Sequence, residues 1–498
     1  MVSTNPTPSP SQDISQLYGA YHILAGQIFD SHACKFVPNQ VISVDGVNGT
    51  ILGVQDHAHF TKPKDEDFID LRHLTVLPGF VDAHVHLFLH EYSGTSWGDQ
   101  LTKESLTERS LRAGVHARKT LMAGFTTVRD LGTEGAADAD IALRKCLAYP
   151  ANGKGPIIPG PRYYCTTRAI VSTGSYGPKS TLYPSKSGIE GVTGAEIADG
   201  VDGCVMAVRR QIGAGADWIK IYGDYRNRSQ ISDVSPDIAG TSFPLFNRDE
   251  LKAMIDTAHS AGVKVAVHTN TASVIETVLE LGADTIEHGQ DLLDTRRGGD
   301  GTDVIRKWTE PGKNTTWVPT LAVFYSIAKL GLPGAAENWE KAKKSFQAVL
   351  RQGKTKGAIT DGDGIKIVCG GDTGAFPHGE NGLEMVMMRK LGAGWDTILR
   401  WATLAGWECI RGMEWEGERG KTRVKAIEEG ARTGAGGKSA LERNVPFGAI
   451  RTGWAADLVG IEGVLDGDVD AFEKAILTGV RFVVKGGTVY KRDGKEVL

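Results

Sequence analysis

The feature that most constrains this fold is a repeated alternation of short apolar stretches with amphipathic stretches through the middle of the 498-residue chain. Eight apolar stretches predict strands: Leu77–Leu87, Thr126–Asp130, Arg162–Ile170, Trp218–Gly223, Lys264–His268, Thr285–His288, Thr316–Leu321 and Ile365–Gly370. Helical patterns fall between them: Arg109–Ala123, Val201–Ala214, Asp249–Ala261, Thr271–Leu281 and Trp339–Lys356. Such alternation predicts an α/β fold with a parallel sheet, and eight units predict a TIM-type (β/α)8 barrel with insertions. An open doubly wound sheet is the alternative, but the first strand ends in His-Val-His and not in a glycine-rich fingerprint.

Both ends of the chain have a different character, with short strands separated by turn signals such as Asp45-Gly46 and Lys485-Gly486-Gly487. We therefore expect residues 18–78 and 441–498 to form one small β-sandwich domain, with the barrel spanning 79–440. Residues 1–17 are rich in Ser, Thr and Pro and are expected to be a disordered tail. An insert near 406–440 stays unassigned, although Lys421–Arg432 within it is compatible with an amphipathic helix.

Composition excludes several classes of function. The formal net charge is −4, so no basic field suggests nucleic acid. The chain has no apolar run long enough to span a membrane, and its N-terminus lacks the basic and apolar regions of a secretory signal. The six cysteines are scattered without a Cys-x-x-Cys pair, which favours reduced thiols. We expect a cytoplasmic enzyme that acts on a small molecule, and homo-oligomers are left open.

His84 and His86 end the first predicted strand of the barrel. Residues two apart on a strand point to one face, so two neutral imidazoles there can share a metal ion. The chain has a second His-x-His pair, His57 and His59, but that pair lies in the β-rich N-terminal region, where packed or surface histidines are the simpler interpretation.

Lys220 is central in the apolar strand Trp218-Ile219-Lys220-Ile221-Tyr222. Alternation places it on the face opposite the isoleucines, which predicts a pore-facing side chain. Burial lowers the pKa of a lysine and favours the neutral amine, which can add CO2 to form a carbamate. A carbamate offers two oxygens, enough to bridge two metals. The alternative is a lysine whose stem packs while its amine reaches water.

His268, His288 and Asp372 each follow a predicted strand at its carboxyl end, where catalytic groups of barrels lie. Each alone has a structural explanation, and Asp372 in its Asp-Thr-Gly context would serve as a helix N-cap. Together with His84, His86 and Lys220, however, they give six metal-binding side chains at one end of the barrel. This conjunction predicts a metal site.

These residues resemble the amidohydrolase superfamily, and within it the imidazolonepropionase-like branch that includes zinc carboxypeptidases, prolidase-like enzymes and ochratoxinase. The resemblance covers nearly the whole chain. It depends on Val81–Leu87, Phe125–Leu131, Trp218–Arg226, Ile286–Gly289 and Gly371–Gly374.

The resemblance implies two Zn2+ ions, although other divalent metals are compatible with these ligands. His84, His86 and Asp372 would bind the deeper ion, His268 and His288 the outer one, and a carbamate on Lys220 would bridge them. A metal-bound hydroxide would attack the substrate carbonyl, polarised by the outer metal that His288 holds. Asp372 would pass a proton to the leaving amine.

Tyr222, Tyr225 and Arg226 directly follow the lysine and are expected to hold a substrate carboxylate. Tyr176 stands where similar enzymes carry a histidine in a Gly-His-Gly turn, so a substrate contact there has changed. His378 is a further expected lining residue of the mouth.

The predicted reaction is hydrolysis of an amide bond to an amino acid, as in an N-acyl amino acid, a small peptide or an ochratoxin-like amide. A cyclic-amide hydrolase or a deaminase is the alternative, although such deaminases usually use one metal and lack a lysine like Lys220. A non-catalytic barrel scaffold is the third possibility, against which all six ligand positions are filled.

Overall fold

The computed structural model describes residues 19–62, 67–148, 155–176, 194–225, 242–293, 301–310, 313–352, 355–356, 364–433 and 445–497. The predicted tail at 1–17 lies outside these residues. In chain order the strands are β1 (Ala20–Asp30), β2 (Lys35–Asp45), β3 (Thr50–Asp56), β4 (Asp67–Pro78), β5 (Phe80–Val85), β6 (Phe125–Asp130), β7 (Arg162–Cys165), β8 (Ile170–Val171), β9 (Glu196–Ile197), β10 (Trp218–Tyr222), β11 (Asp224–Tyr225), β12 (Phe243–Pro244), β13 (Lys264–Thr271), β14 (Thr285–Asp291), β15 (Thr316–Val318), β16 (Thr355–Lys356), β17 (Ile365–Ile367), β18 (Leu458–Ile461), β19 (Val480–Lys485), β20 (Thr488–Arg492) and β21 (Lys495–Glu496).

The α-helices are α1 (Trp97–Lys103), α2 (Leu106–Met122), α3 (Ala139–Leu147), α4 (Gly200–Ala214), α5 (Arg248–Ser260), α6 (Ala272–Leu281), α7 (Asp303–Trp308), α8 (Leu321–Lys329), α9 (Ala335–Arg351), α10 (Leu383–Lys390), α11 (Trp395–Trp401), α12 (Leu404–Ile410), α13 (Gly417–Thr433) and α14 (Val469–Thr478). None of these helices combines the length and apolar character needed to cross a bilayer, within the described residues.

Strands from both ends of the chain form one sheet of eight strands, in the order β21-β20-β19-β18-β4-β1-β2-β3. The two ends meet where β18 pairs antiparallel with β4, with Leu458 opposite Pro78. One face of the sheet buries a separate apolar cluster that includes Tyr21, Val76 and Phe482. The described strands of this region form a single sheet, and the predicted β-sandwich is therefore not confirmed.

The middle of the chain is a mixed α/β structure built on parallel strands. One sheet has the order β16-β17-β15-β14-β13-β10-β8-β9 and another β5-β6-β7, and every pairing within them is parallel. The two sheets are joined at one side by Ala83 N–H donating to Cys369 O at 2.9 Å and Asp372 N–H to His84 O at 2.8 Å. At the other side, Asp217 N–H donates to Cys165 O at 2.8 Å.

Two predicted strands are divided in the structure. The stretch Leu77–Leu87 breaks at Gly79, where a Cβ would come within 2.1 Å of Thr126, so the chain passes from the terminal sheet into β5 at a point of very close packing. The stretch Arg162–Ile170 breaks at Thr167, whose φ of +61° interrupts extended backbone. The resulting β7 and β8 belong to different sheets.

The helices follow from local sequence signals. Asn247 caps α5, and its side chain together with that of Glu250 forms a capping box. One face of α5 recurs with helical spacing and is buried: Leu251, Met254, Ile255 and Ala258. Helix α13 contains the stretch Lys421–Arg432 that the sequence indicated as helical.

Candidate metal-binding active site

The carboxyl end of strand β5 positions the first two candidate ligands, His84 within the strand and His86 just after its last residue, Val85. His84 and His86 lie two residues apart and both are buried, with ring centroids 5.3 Å apart. They point the same way because side chains alternate along a strand. Gly370 allows the neighbouring segment to approach, since a Cβ there would lie 2.9 Å from His84 N.

The structure brings three further predicted ligands, His268, His288 and Asp372, to the same place. The ring of His288 lies 5.0 Å from that of His84 and 4.4 Å from that of His268. Asp372 Oδ1 lies 3.6 Å from His84 Nε2 and 3.3 Å from His86 Nε2. Potential ligand atoms of His84, His288 and Asp372 all fall within 4.8 Å of one another.

Lys220 is 1% exposed, and its Nζ has no hydrogen-bond partner among the described residues. Burial lowers the pKa of Lys220 to about 8, while the carboxylates of Glu287 and Asp372 act in the opposite direction. A buried amine without a partner is costly unless another group completes its environment. The position therefore fits a lysine whose amine is neutral and is either modified or bound to a metal ion.

Asp372 and His288 occupy left-handed backbone, with φ of +63° and +70°. Non-glycine residues seldom adopt this conformation, and it persists where the surrounding structure enforces it. Burial raises the pKa of Asp372 to about 6, against the lowering effect of His86 and Lys220.

Further polar groups orient these imidazoles. Glu287 Oε2 accepts from His84 Nδ1 at 2.8 Å, and Arg129 Nη2 donates to Glu287 Oε1 at 2.8 Å. His86 Nδ1 donates to Gly132 O at 2.7 Å, which leaves Nε2 facing Asp372. Holding one ring nitrogen in this manner fixes which nitrogen is available as a ligand.

Sequence reasoning assigned no role to Arg129 or Glu287. The available signal was a charged residue inside a predicted strand, Arg129 in Thr126–Asp130 and Glu287 in Thr285–His288.

The donor set fits divalent metal ions. Burial lowers the pKa of both His84 and His288 well below the usual value, so both imidazoles are neutral, as ligands must be. Imidazoles with a carboxylate suit zinc and related ions.

A cavity of about 550 Å3 opens over this cluster. Its lining includes His86, His268, His288 and Asp372, together with the predicted substrate residues Tyr176, Tyr222 and Tyr225. Arg226 lies outside the described residues.

His378 does not line this cavity, contrary to the expectation. It stacks on His116 with centroids 4.3 Å apart and donates from Nε2 to Leu89 O at 2.9 Å, so its side chain packs behind the cavity wall.

The structure adds Glu134 to the lining, a residue that sequence reasoning missed. It is 3% exposed and lies in the turn after β6 with a φ of +51°. Its Oε2 accepts from Trp97 Nε1 at 3.1 Å and from the Tyr176 hydroxyl. No local pattern marked this position, because the contact depends on the shape of the turn.

Known proteins resemble this chain over most of its length. The model of the amidohydrolase family matches residues 75–412. Ochratoxinase of Aspergillus niger is 25% identical over 435 residues, which cover 84% of this chain and 76% of the relative. An uncharacterised protein of Mycobacterium tuberculosis is 25% identical over 322 residues, covering 64% of this chain and 69% of the relative.

Among solved structures, a Xaa-Pro dipeptidase with bound methionine has a TM-score of 0.70 at 23% identity, covering 95% of this chain and 100% of that one. At that identity the likeness shows the fold alone. The match of the family model, however, spans most of the chain. The chain therefore belongs to the amidohydrolase family and is an enzyme of the class that hydrolyses amide bonds.

Proposed function

We propose that this protein is a binuclear zinc hydrolase that cleaves an amide bond to an amino acid, in an N-acyl amino acid, an ochratoxin-like amide or a small peptide. The observation that carries the proposal is the Nζ of Lys220, which is buried without a hydrogen-bond partner among the described residues. Its charge acts on His84, His86, His288 and Asp372, which lie around it.

We also propose that the parallel strands form a closed (β/α)8 barrel. Supporting this, backbone hydrogen bonds connect the two parallel sheets at both sides, through Ala83 and Cys369 at one and through Asp217 and Cys165 at the other. The ligands would then lie at the carboxyl ends of the strands, the catalytic end of such barrels.

In this proposal His84, His86 and Asp372 would hold one ion and His268 and His288 the other, and a carbamate on Lys220 would supply further ligand oxygens. Bound divalent ions would lower the pKa of water and polarise a carbonyl group. The interatomic distances favour this assignment, since Asp372 Oδ1 lies within 3.6 Å of Nε2 of both His84 and His86.

Asp372 is suited to move the proton that the reaction requires. Its side chain is 17% exposed toward the cavity, and burial raises its pKa to about 6. A carboxyl group that lies beside bound ions and faces the cavity can accept a proton from water and release it to a leaving nitrogen. His288 is held by Nδ1 at 2.8 Å from Thr320 Oγ1, so its Nε2 is directed to the other ligands.

The cavity supplies recognition groups for an amide. Asn270 Oδ1 and Gln290 Oε1 are buried acceptors without partners among the described residues, and both residues line the cavity. Substrate N–H groups would satisfy them, because buried acceptors otherwise remain unpaired at a cost. Arg226 would pair with the carboxylate of the departing amino acid.

The test loads the metal-free protein with zinc and presents N-acyl amino acids, dipeptides and cyclic amides, measuring free amino acid and bound metal. We expect about two zinc ions per chain and hydrolysis that chelation abolishes. Active protein with one ion would contradict the binuclear site. Turnover of cyclic amides alone would favour the cyclic-amide hydrolase instead.

A further inference from the structure

We propose that Glu134 and the aromatic rings around it form a subsite for a positively charged group of the substrate, such as the free ammonium of an aminoacyl amide. The inference rests on the proposed amide hydrolysis. It narrows the proposed substrates from amides of amino acids to those amides that carry a cation on the acyl side of the scissile bond.

The first support is the placement of the Glu134 carboxylate. It lines the same cavity as Asp372, although the residue is only 3% exposed. The Trp97 indole and the Tyr176 hydroxyl both donate to Oε2. A carboxylate is held in a fixed orientation at the cavity wall, in a turn whose left-handed backbone is unusual for glutamate.

The second support is that no protein cation makes direct contact with this carboxylate. Among the described residues, its hydrogen-bond donors are the Trp97 indole and the Tyr176 hydroxyl, and no lysine or arginine forms an ion pair with it. Burial raises the pKa of Glu134, and the charges of Arg109 and Lys220 lower it. Arg109, however, directs Nε and Nη2 to the carbonyls of Phe88 and Thr133. A ligand cation in the cavity would supply the direct ion-pair partner that buried carboxylates normally have.

The third support is the set of rings beside the carboxylate. The Tyr176 ring lies 5.4 Å from Trp97, 4.8 Å from Tyr222 and 5.1 Å from Tyr225, and all four residues line the cavity. The Tyr176 ring is inclined to the other three rings by 52–71°, so the four rings are not coplanar and surround a common space. Aromatic faces around a site attract cations, ammonium groups in particular.

The direction in which the tyrosine hydroxyls donate indicates whether this part of the cavity suits a substrate cation or a substrate anion. Tyr222 OH donates to Tyr176 OH at 3.4 Å, and Tyr176 OH donates to Glu134. These donors are thus directed to a protein carboxylate. A substrate carboxylate at Tyr176 would meet the like charge of Glu134. We therefore assign Tyr222, which the sequence predicted to hold a substrate carboxylate, to the subsite for a cation.

An isosteric pair of substrates tests the proposal. Glycyl-L-phenylalanine and N-propionyl-L-phenylalanine differ in an ammonium against a methyl group at the same position. We expect zinc-loaded wild type to prefer the glycyl compound by about 10- to 100-fold in kcat/KM, the range for one hydrogen bond to a charged group. In Glu134→Gln the ratio should fall toward one. Glu418→Gln, on the exposed surface of α13, should keep the wild-type ratio.

A wild-type ratio near one would overturn the proposal, as would a ratio that Glu134→Gln leaves unchanged. If Glu134→Gln fails to fold, the wild-type ratio decides alone.

Calorimetric binding of benzyltrimethylammonium, which cannot bind a metal ion, separates this inference from the proposed function. We expect binding to wild type, with or without zinc, that Glu134→Gln weakens about tenfold or more. If neither amide is hydrolysed but this binding depends on Glu134, the proposed function is wrong and the cation subsite stands. If amides are hydrolysed without preference and the probe does not bind, the cation subsite is wrong and the proposed function stands.

Discussion

Glu287→Gln tests whether the group behind His84 controls metal binding separately from stability. Glu287 is fully buried and accepts from His84 Nδ1 and from Arg129 Nη2, each at 2.8 Å. The amide keeps the shape but removes the charge. Arg129 is then a buried cation without its counterion, and His84 loses the acceptor that fixes its ring.

Two magnitudes follow from these contacts. Breaking a buried ion pair by neutralising one partner costs about 3–5 kcal/mol of unfolding free energy. Losing a group that orients a metal-ligating histidine lowers metal affinity about 10- to 100-fold. The first effect should appear in urea unfolding of the metal-free protein, and the second in competition with a chromophoric zinc chelator.

A matched control separates the two effects. Asp457 pairs with Arg162 at 2.7 Å, both side chains are at most 9% exposed, and neither residue lines the metal-site cavity. Asp457→Asn should therefore lose comparable stability and keep wild-type zinc affinity. If Glu287→Gln binds zinc as tightly as Asp457→Asn does, Glu287 has no role in orienting His84 and the reasoning is refuted.

Three other outcomes are expected. Lys220→Ala should lose bound metal and activity. Acetate or propionate should restore part of both, because a small carboxylate can occupy the place of the carbamate. Full metal content in the variant would remove the carbamate from the proposal. Asp372→Asn should lower kcat by at least ~10²-fold, the scale for a general acid–base group, with a much smaller change in KM. Burial raises the pKa of Glu384 from 4.5 to about 8, so the folded state holds its proton more tightly, and wild-type stability should fall as pH rises from 4.5 to 8. Urea midpoints of Glu384→Gln should therefore match wild type near pH 4.5 and exceed it at pH 8, and a constant difference would contradict the assignment.

The positions of the six candidate ligands could be predicted because they depend on local rules. Alternation along a strand puts His84 and His86 on one side, and the carboxyl ends of parallel strands place His268, His288 and Asp372 near one another. The structure groups these residues as the sequence predicted, while their roles as ligands stay predictions. The parallel α/β character of the middle of the chain was predictable for the same reason.

Other features depend on contacts that no local pattern encodes. The pairing of β4 with β18 brings together residues almost four hundred positions apart. This pairing joins the strands of both chain ends into one sheet, whereas a β-sandwich of two sheets was predicted. Thr167 interrupts a predicted strand because its φ is left-handed, and threonine gives no sequence signal for that conformation. His378 follows Asp372 closely in sequence, yet the chain turns its ring toward His116.

The pair Arg129–Glu287 links the fold to the chemistry of the site. Arg129 on β6 donates to Ala83 O on β5 at 2.7 Å, stacks over Trp218 of β10 at 4.4 Å, and contacts Glu287 on β14. One buried cation thus touches strands of both parallel sheets. Because Glu287 also holds His84, the geometry of the first ligand is tied to the docking of the two sheets. A change that separates the sheets should therefore weaken metal binding, and bound metal should in turn stabilise their junction through the same contacts.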